Sequence, residues 1–212
     1  MHAELDHLVV TAPTLDMGAD FVTQALGVPL DVGGDHPLMG THNLVLRLGN
    51  SSYLEVIAIN PASPRPERPR WFALDCLSGN NSPRLATWVA RTSSVDLMKN
   101  PLAPIFGNVD SMTRGSLRWR ITIPAGGALL YGGLVPLLIE WQSAVHPASH
   151  MRDFGCSLMK LEALHPKPEQ LCEELRRLDL SNILTISGLK APGPPYLVAH
   201  IETPGGVRLL GI

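Results

Sequence analysis

Two polar residues stand inside stretches that should otherwise be buried. His7 interrupts Leu5-Asp6-His7-Leu8-Val9-Val10, and Glu55, 48 residues later, interrupts Tyr53-Leu54-Glu55-Val56-Ile57. A carboxylate inside an apolar strand is costly unless it is paired, hydrogen-bonded or bound to a metal. His7 has two readings: a metal ligand or general base, or a buried neutral imidazole bonded to a neighbour. Glu55 likewise reads as a ligand or base, or as the partner of Arg47, Arg118 or Arg120. Glu140, in Leu137-Leu138-Ile139-Glu140-Trp141, repeats the pattern 85 residues after Glu55 and is either functional or exposed at a sheet edge.

The elements that must position these residues follow from periodicity. Side chains alternate across a strand. Leu5, His7 and Val9 are therefore predicted on one face, with Leu8 and Val10 on the other. Tyr53, Glu55 and Ile57 share a face, and Leu138 and Glu140 share one opposite Leu137, Ile139 and Trp141. Between the first strand and Tyr53–Ile59 the chain reads as a helix, capped by Thr14 or Asp16 and stopped at Gly27, then strands at Pro29–Gly34 and His42–Leu48. His42 sits at the start of the latter, on the face of Leu44, Leu46 and Leu48. It either bonds a substrate or caps the strand. His36 follows Gly33-Gly34-Asp35 in a predicted loop at the edge of a cleft. The order through residue 60 is βαβββ.

A proline-rich connector, residues 61–83, leads to a second pass through the same order over 84–145. Leu85–Thr92 is its first strand, Val95–Asn100 a short helix, Asn108–Gly115 and Leu117–Pro124 a hairpin, and Leu134–Gln142 the closing strand. Residues 146–212 form a shorter βαββ extension on the same domain. Its helix, Pro168–Leu178, carries the clearest amphipathic stripe, Leu171, Leu175 and Leu178. His146 and His150 are four apart, but Pro147 opposes the helix that would align them as ligands. His200 and Glu202 are predicted to face solvent.

Composition excludes several function classes. With 17 basic and 19 acidic residues, a net charge of −2 and no basic block, there is no electrostatic case for nucleic acid or an anionic membrane. Cys76, Cys156 and Cys172 form no C-x-x-C pair, so neither a disulfide framework nor a thiolate zinc site is expected. No apolar stretch is long enough to span a bilayer, and the N-terminus lacks the form of a signal peptide. The expectation is a cytoplasmic protein, monomer or homodimer, acting on a small molecule. The Gly-Gly pairs do not make a G-x-G-x-x-G nucleotide loop, and no G-x-S-x-G elbow is present.

Taken together, Leu5–Val10, Gly40-Thr41-His42-Asn43, Tyr53–Ile57, Pro136–Trp141 and His146-Pro147 resemble the glyoxalase-like branch of the vicinal-oxygen-chelate superfamily, over roughly residues 4–178. The resemblance implies an α+β fold: paired βαβββ modules forming a curved mixed sheet around a cleft. It also implies a divalent cation held by one residue from the first strand and one from the last strand of each module. His7, Glu55 and Glu140 fall at three of these positions; the fourth falls near Thr87, a poor ligand. One histidine with two carboxylates suits Mg, Mn, Fe(II) or Zn with open positions. Glu55 and Glu140 would then move protons in lyase, isomerase or dioxygenase chemistry, with His42 and His36 binding substrate. The alternative implied by the same family is a metal-free protein that binds or sequesters a small molecule.

Overall fold

The computed structural model describes residues 3–96 and 103–211. The first module is β1 (Ala3–Thr11), α1 (Leu15–Leu26), β2 (Asp31–His36), β3 (Thr41–Arg47) and β4 (Tyr53–Ile59). The second is β5 (Arg84–Thr92), α2 (Ala103–Phe106), β6 (Asn108–Arg114), β7 (Leu117–Ile123) and β8 (Leu137–Trp141). The C-terminal unit is β9 (Ser157–His165), α3 (Pro168–Arg177), β10 (Thr185–Gly188), β11 (Tyr196–Thr203) and β12 (Gly206–Leu210). The predicted helix Val95–Asn100 falls largely outside the described residues. β2 begins and ends two residues later than its predicted bounds, so His36 is the last residue of a strand rather than part of a loop.

The two modules join in a curled eight-stranded sheet of order β2-β3-β4-β1-β5-β8-β7-β6. Its symmetry is visible in the pairing. β1 and β5 run antiparallel at the centre, and each has its own module's last strand parallel on its other side. The fold is therefore the α+β arrangement of paired βαβββ modules. The C-terminal strands form a second sheet, β10-β9-β11-β12.

The sheet separates two cores. On its outer face Leu8, Val10, Leu54, Val56, Trp88 and Leu138 pack against the apolar faces of α1, α3 and the second sheet. On its inner face Val9, Ile57, Val89, Ile121 and Ile139 meet Trp71 and Phe72 from the connector. Those two aromatics sit in a turn of 3-10 helix, Trp71–Cys76, in which Phe72 and Ala73 adopt left-handed φ values of 55° and 54°. This is a conformation that non-glycine residues adopt at a cost. The Arg70 guanidinium clamps the turn by donating to Asp75 Oδ1 at 2.6 Å, while Asp75 Oδ2 accepts from the Arg70 backbone N–H. No helix among the described residues is long and apolar enough to cross a membrane.

α1 is the first module's cover. Thr14 caps it by accepting from the Met17 N–H, and Gly27 ends it in the left-handed region. It lies so close to β4 that a Cβ on Gly18 would stand 2.3 Å from Val56 Cγ1 and 2.9 Å from Ala12 Cβ. Replacing glycine by alanine inside a helix ordinarily stabilises it by about 1 kcal/mol. Here the overpacking term, about 1–3 kcal/mol, opposes that gain and outweighs it, because Val56 is fully buried in a central strand and has no room to give way. Gly18→Ala is expected to lower the midpoint of urea unfolding; a raised midpoint would contradict this packing.

Candidate functional site

The site begins with an irregularity in β1. Leu5 pairs with Ala90 and His7 with Val89, so Asp6 is an extra residue in the ladder. A bulge of this kind turns two consecutive side chains toward one face. Leu5 and Leu8 enter the outer core, whereas Asp6 and His7 both face the cleft. The predicted grouping of Leu5 with His7 is thus corrected by one bulged residue.

Asp6 is fully buried and gathers donors from the whole inner face. Its Oδ1 lies 2.7 Å from His7 Nδ1; its Oδ2 lies 2.8 Å from Trp141 Nε1 and 3.0 Å from His146 Nε2. Arg91 stands 3.6 Å away. Burial alone would raise its carboxyl pKa, but the hydrogen bonds and charges of His146 and His7 outweigh burial and hold it well below the usual carboxylate range. His146 Nδ1 accepts from the Ala148 N–H, so its proton is on Nε2, directed at Asp6. The same logic assigns the His7 proton to Nδ1 and leaves Nε2 facing inward.

His7 Nε2 is 3.7 Å from Glu55 Oε2, so the structure brings these two predicted residues together. The His7 ring stacks on Tyr53 with centroids 4.6 Å apart. Glu55 is 5 % exposed, and its Oε1 accepts from Asn43 Nδ2 at 2.5 Å. None of the arginines expected as its partner reaches it. Arg47 donates to Gly49 and Asn50, and Arg120 pairs with Glu140 and Asp96. Asn43 in turn accepts, through Oδ1, from Arg114 Nη1 at 3.2 Å, and Arg114 Nη1 is also 3.3 Å from His36 Nε2. Burial, reinforced by the Arg114 charge and partly opposed by Glu55, lowers the His36 pKa to about 4. The ring is therefore neutral near pH 7, with Nε2 accepting from Arg114 and Nδ1 donating to Thr41 Oγ1 at 3.2 Å.

These groups line one side of a small chamber: His7, His36, Tyr53 and Glu55 from the first module. The second module faces them with Trp119, Ile121, Ile139 and Trp141, and Trp71 and Phe72 close the end. A water-sized sphere has about 20 Å³ of free space inside, room for about one water.

Two predicted site residues lie elsewhere. Glu140 is on the outer face: its Oε2 accepts from the Val95 N–H at 2.9 Å and from Arg120 Nη1 at 3.2 Å. In β8 it is Leu137 and Ile139 that join the inner core, so alternation within the strand puts Glu140 with Leu138 on the opposite face. His42 shares the outer-facing side of β3 with Leu44 and Leu46, and its neighbour Asn43 holds the inward position. Thr87 faces inward beside Val9, but its hydroxyl donates to the Gly133 carbonyl at 2.9 Å. The expected three-ligand set is therefore not assembled. His7 and Glu55 offer two donors on one side, the second module offers hydrocarbon, and Asp6 is committed to other donors. Among the described residues no three His, Cys, Asp or Glu side chains are grouped to hold a metal ion. The residues present do not fit the resident divalent cation that the resemblance implied.

Asp6, Asn43, Arg114, Trp141 and His146 complete the site and were not singled out for it from the sequence. One local signal existed: two consecutive polar residues, Asp6 and His7, put a polar side chain on each face of a regular strand, and only a bulge turns both toward one face. His150 is exposed. His200 is half-buried against Glu162, at 3.4 Å, on the second sheet.

A family model described as a glyoxalase-like domain matches residues 5–178. No curated protein matches the sequence. Among solved structures, a hypothetical protein from Staphylococcus aureus superposes with a TM-score of 0.59 at 16% identity, over 93% of this chain and 91% of that one. That likeness shows the fold, C-terminal sheet included. A methylmalonyl-CoA epimerase in complex with methylmalonyl-CoA and NH4+ has a TM-score of 0.43 at 18% identity, over 69% of this chain and 100% of that one. The methylmalonyl-CoA epimerase from Mycobacterium tuberculosis gives 0.42 at 19% identity, over 69% and 91%.

Two measurements check this site. Removing the Asp6 charge leaves its buried donors unmatched, so Asp6→Asn should destabilise the fold at pH 7 by about 3 kcal/mol, read by denaturant unfolding; a change below about 1 kcal/mol would refute its central role. For His36 the unfolded chain, with an ordinary pKa of 6.5, binds more protons than the folded one, at about 4. Its contribution to stability is complete above pH 6.5 and is lost as pH falls from 6.5 toward 4, about 3 kcal/mol in all. His36→Gln should flatten that part of the stability profile.

Proposed function

The chain belongs to the glyoxalase-like domain family of the vicinal-oxygen-chelate superfamily, and we propose that its cleft moves a proton on a small oxygen-bearing substrate, as an isomerase or lyase, without a resident metal. The observation that carries this reading is the line Asp6–His7···Glu55–Asn43 beside a small chamber whose facing wall is hydrocarbon.

Each residue has a part that its contacts support. Asn43 fixes one oxygen of Glu55 and leaves Oε2 for a substrate hydrogen. Glu55 takes a proton from a carbon next to a carbonyl, and the electron pair of that C–H bond moves into the enolate. Asp6 orients His7, so that Nε2 meets the substrate oxygen; when the ring carries both protons, Nε2–H stabilises the enolate oxygen. Return of the proton to carbon, at the same or a neighbouring position, completes an isomerisation; loss of a leaving group would complete an elimination. Trp119, Ile139 and Trp141 exclude water and hold the uncharged part of the substrate. Glu140 and His42 have no part in this, being on the other face.

A second reading uses the same cleft for binding without turnover. It is favoured by the apolar wall of the second module and by Thr87, whose hydroxyl serves the fold.

The test is deuterium incorporation from D2O at the carbon next to the carbonyl in a panel of small 2-oxo and 3-oxo compounds, followed by NMR. Wild-type protein dialysed against EDTA should exchange at the undialysed rate, and Glu55→Gln should be slower by about 100-fold or more. Undiminished exchange in Glu55→Gln would sink the proposal. Loss on dialysis with recovery on adding a divalent cation would return the site to metal chemistry. Saturable binding with no exchange would establish the second reading.

A further inference from the structure

The Gly33-Gly34 pair has a use in this site. A Cβ on Gly33 would stand 2.1 Å from Asn43 Oδ1, and one on Gly34 would stand 2.9 Å from Arg114 Cδ. Two consecutive glycines on β2 are thus hollowed where the Asn43 amide and the Arg114 stem pass. Arg114 comes from the end of β6, the opposite edge of the eight-stranded sheet, and crosses the mouth to reach β2 and β3.

What Arg114 meets there is neutral. Its two contacts, His36 Nε2 and Asn43 Oδ1, both use Nη1, and among the described residues no carboxylate lies within 4 Å of it. A guanidinium has five donors, and the rest have no protein acceptor among the described residues. Arg114 lines both the small inner chamber and a larger outer groove of about 890 Å³, bounded also by His150 and Arg152. A second donor lies in the same chamber: Trp71 is 3 % exposed, stands edge-on to His36 at 5.1 Å, and its indole N–H has no partner among the described residues.

We propose that Arg114 anchors the carboxylate of the substrate at the seam between groove and chamber, so that the protein acts on small oxo-carboxylates. The fork geometry of a guanidinium matches a carboxylate. Through Asn43, Arg114 stands one amide side chain away from Glu55, a spacing that a 2-oxo or 3-oxo acid bridges when its carboxylate sits on Arg114 and its carbonyl carbon faces the chamber. The outer groove takes any substituent beyond. The inference rests on the proton-transfer reading for the role of Glu55, but the anchor is tested by binding alone.

Trp71, Trp119 and Trp141 line the chamber, so quenching of intrinsic fluorescence reports entry. The probes are pyruvate against pyruvamide, acetoacetate against acetoacetamide, and inorganic phosphate. Wild-type protein should bind the acids at least about tenfold more tightly than the amides and than phosphate. Arg114→Met should remove that preference with the thermal midpoint retained. Arg114→Lys, which keeps charge and loses the fork, should fall between, and serves if the methionine variant misfolds. Glu55→Gln should bind the acids as well as wild type or better, since a repelling charge is gone, even while exchange is lost. Equal binding of acid and amide, no saturable binding by either acid, tighter binding of phosphate, or an unchanged preference in both Arg114 variants would overturn the anchor. A preserved anchor with no exchange would overturn only the proton transfer.

Discussion

The buried carboxylate of Asp6 is the constraint on which the rest of the structure depends. It draws His7 from its own strand, Trp141 from the last strand of the second module and His146 from the segment leading to the second sheet. A charge with no exposure survives only where donors satisfy both oxygens. Meeting that demand ties the two modules together along the inner face. It also fixes the proton of each histidine: His146 gives its Nε2–H, His7 its Nδ1–H, and the free nitrogen of His7 is left toward Glu55. Position and protonation of the His7 imidazole are thus set by one carboxylate, through a bulge that turns Asp6 toward the cleft.

The symmetry of the sheet is not matched by its chemistry. Strand pairing around β1 and β5 is nearly two-fold, yet, Arg114 apart, the polar groups of the chamber come from the first module and the hydrocarbon from the second. The first half supplies His7, His36, Tyr53 and Glu55; the second supplies Trp119, Ile139 and Trp141. The one charged side chain it brings to the mouth is Arg114, at the sheet's far edge. Such a division gives the chamber one polar wall and one apolar wall. It does not suit a cation that needs donors from both sides.

The outer face explains why so short a chain can hold a buried polar site. α1, α3 and the second sheet cover the outside of the curled sheet with a continuous apolar core. That cover supplies the hydrophobic stabilisation that a polar inner face does not. Trp88, fully buried there, satisfies its indole by donating to the Leu134 carbonyl at 3.0 Å. The connector contributes from the other side, since Trp71 and Phe72 fill the inner face beside His36.

The order βαβββ twice over, the capped helix ending at Gly27 and the amphipathic α3 were legible in the sequence, because each rests on local periodicity; the cost of burying charge singled out His7 and Glu55 one by one, and only the family resemblance placed them in one hollow. Alternation also separated Leu138 and Glu140 from Ile139 and Trp141, and His42 from Asn43. What alternation cannot state is which face closes into a cleft, for a strand read alone has two equivalent sides. Only the curl of the sheet assigned Ile139 and Asn43 to the inside and Glu140 and His42 to the outside. A bulge at Asp6 shifted the pleat by one residue, and the opposite edge brought Arg114 over Gly33-Gly34 from far along the chain. The chain by itself determined its elements and the residues too polar to be idle. The tertiary structure decided which of them meet, because contact across a curled sheet depends on register and closure that no local pattern encodes.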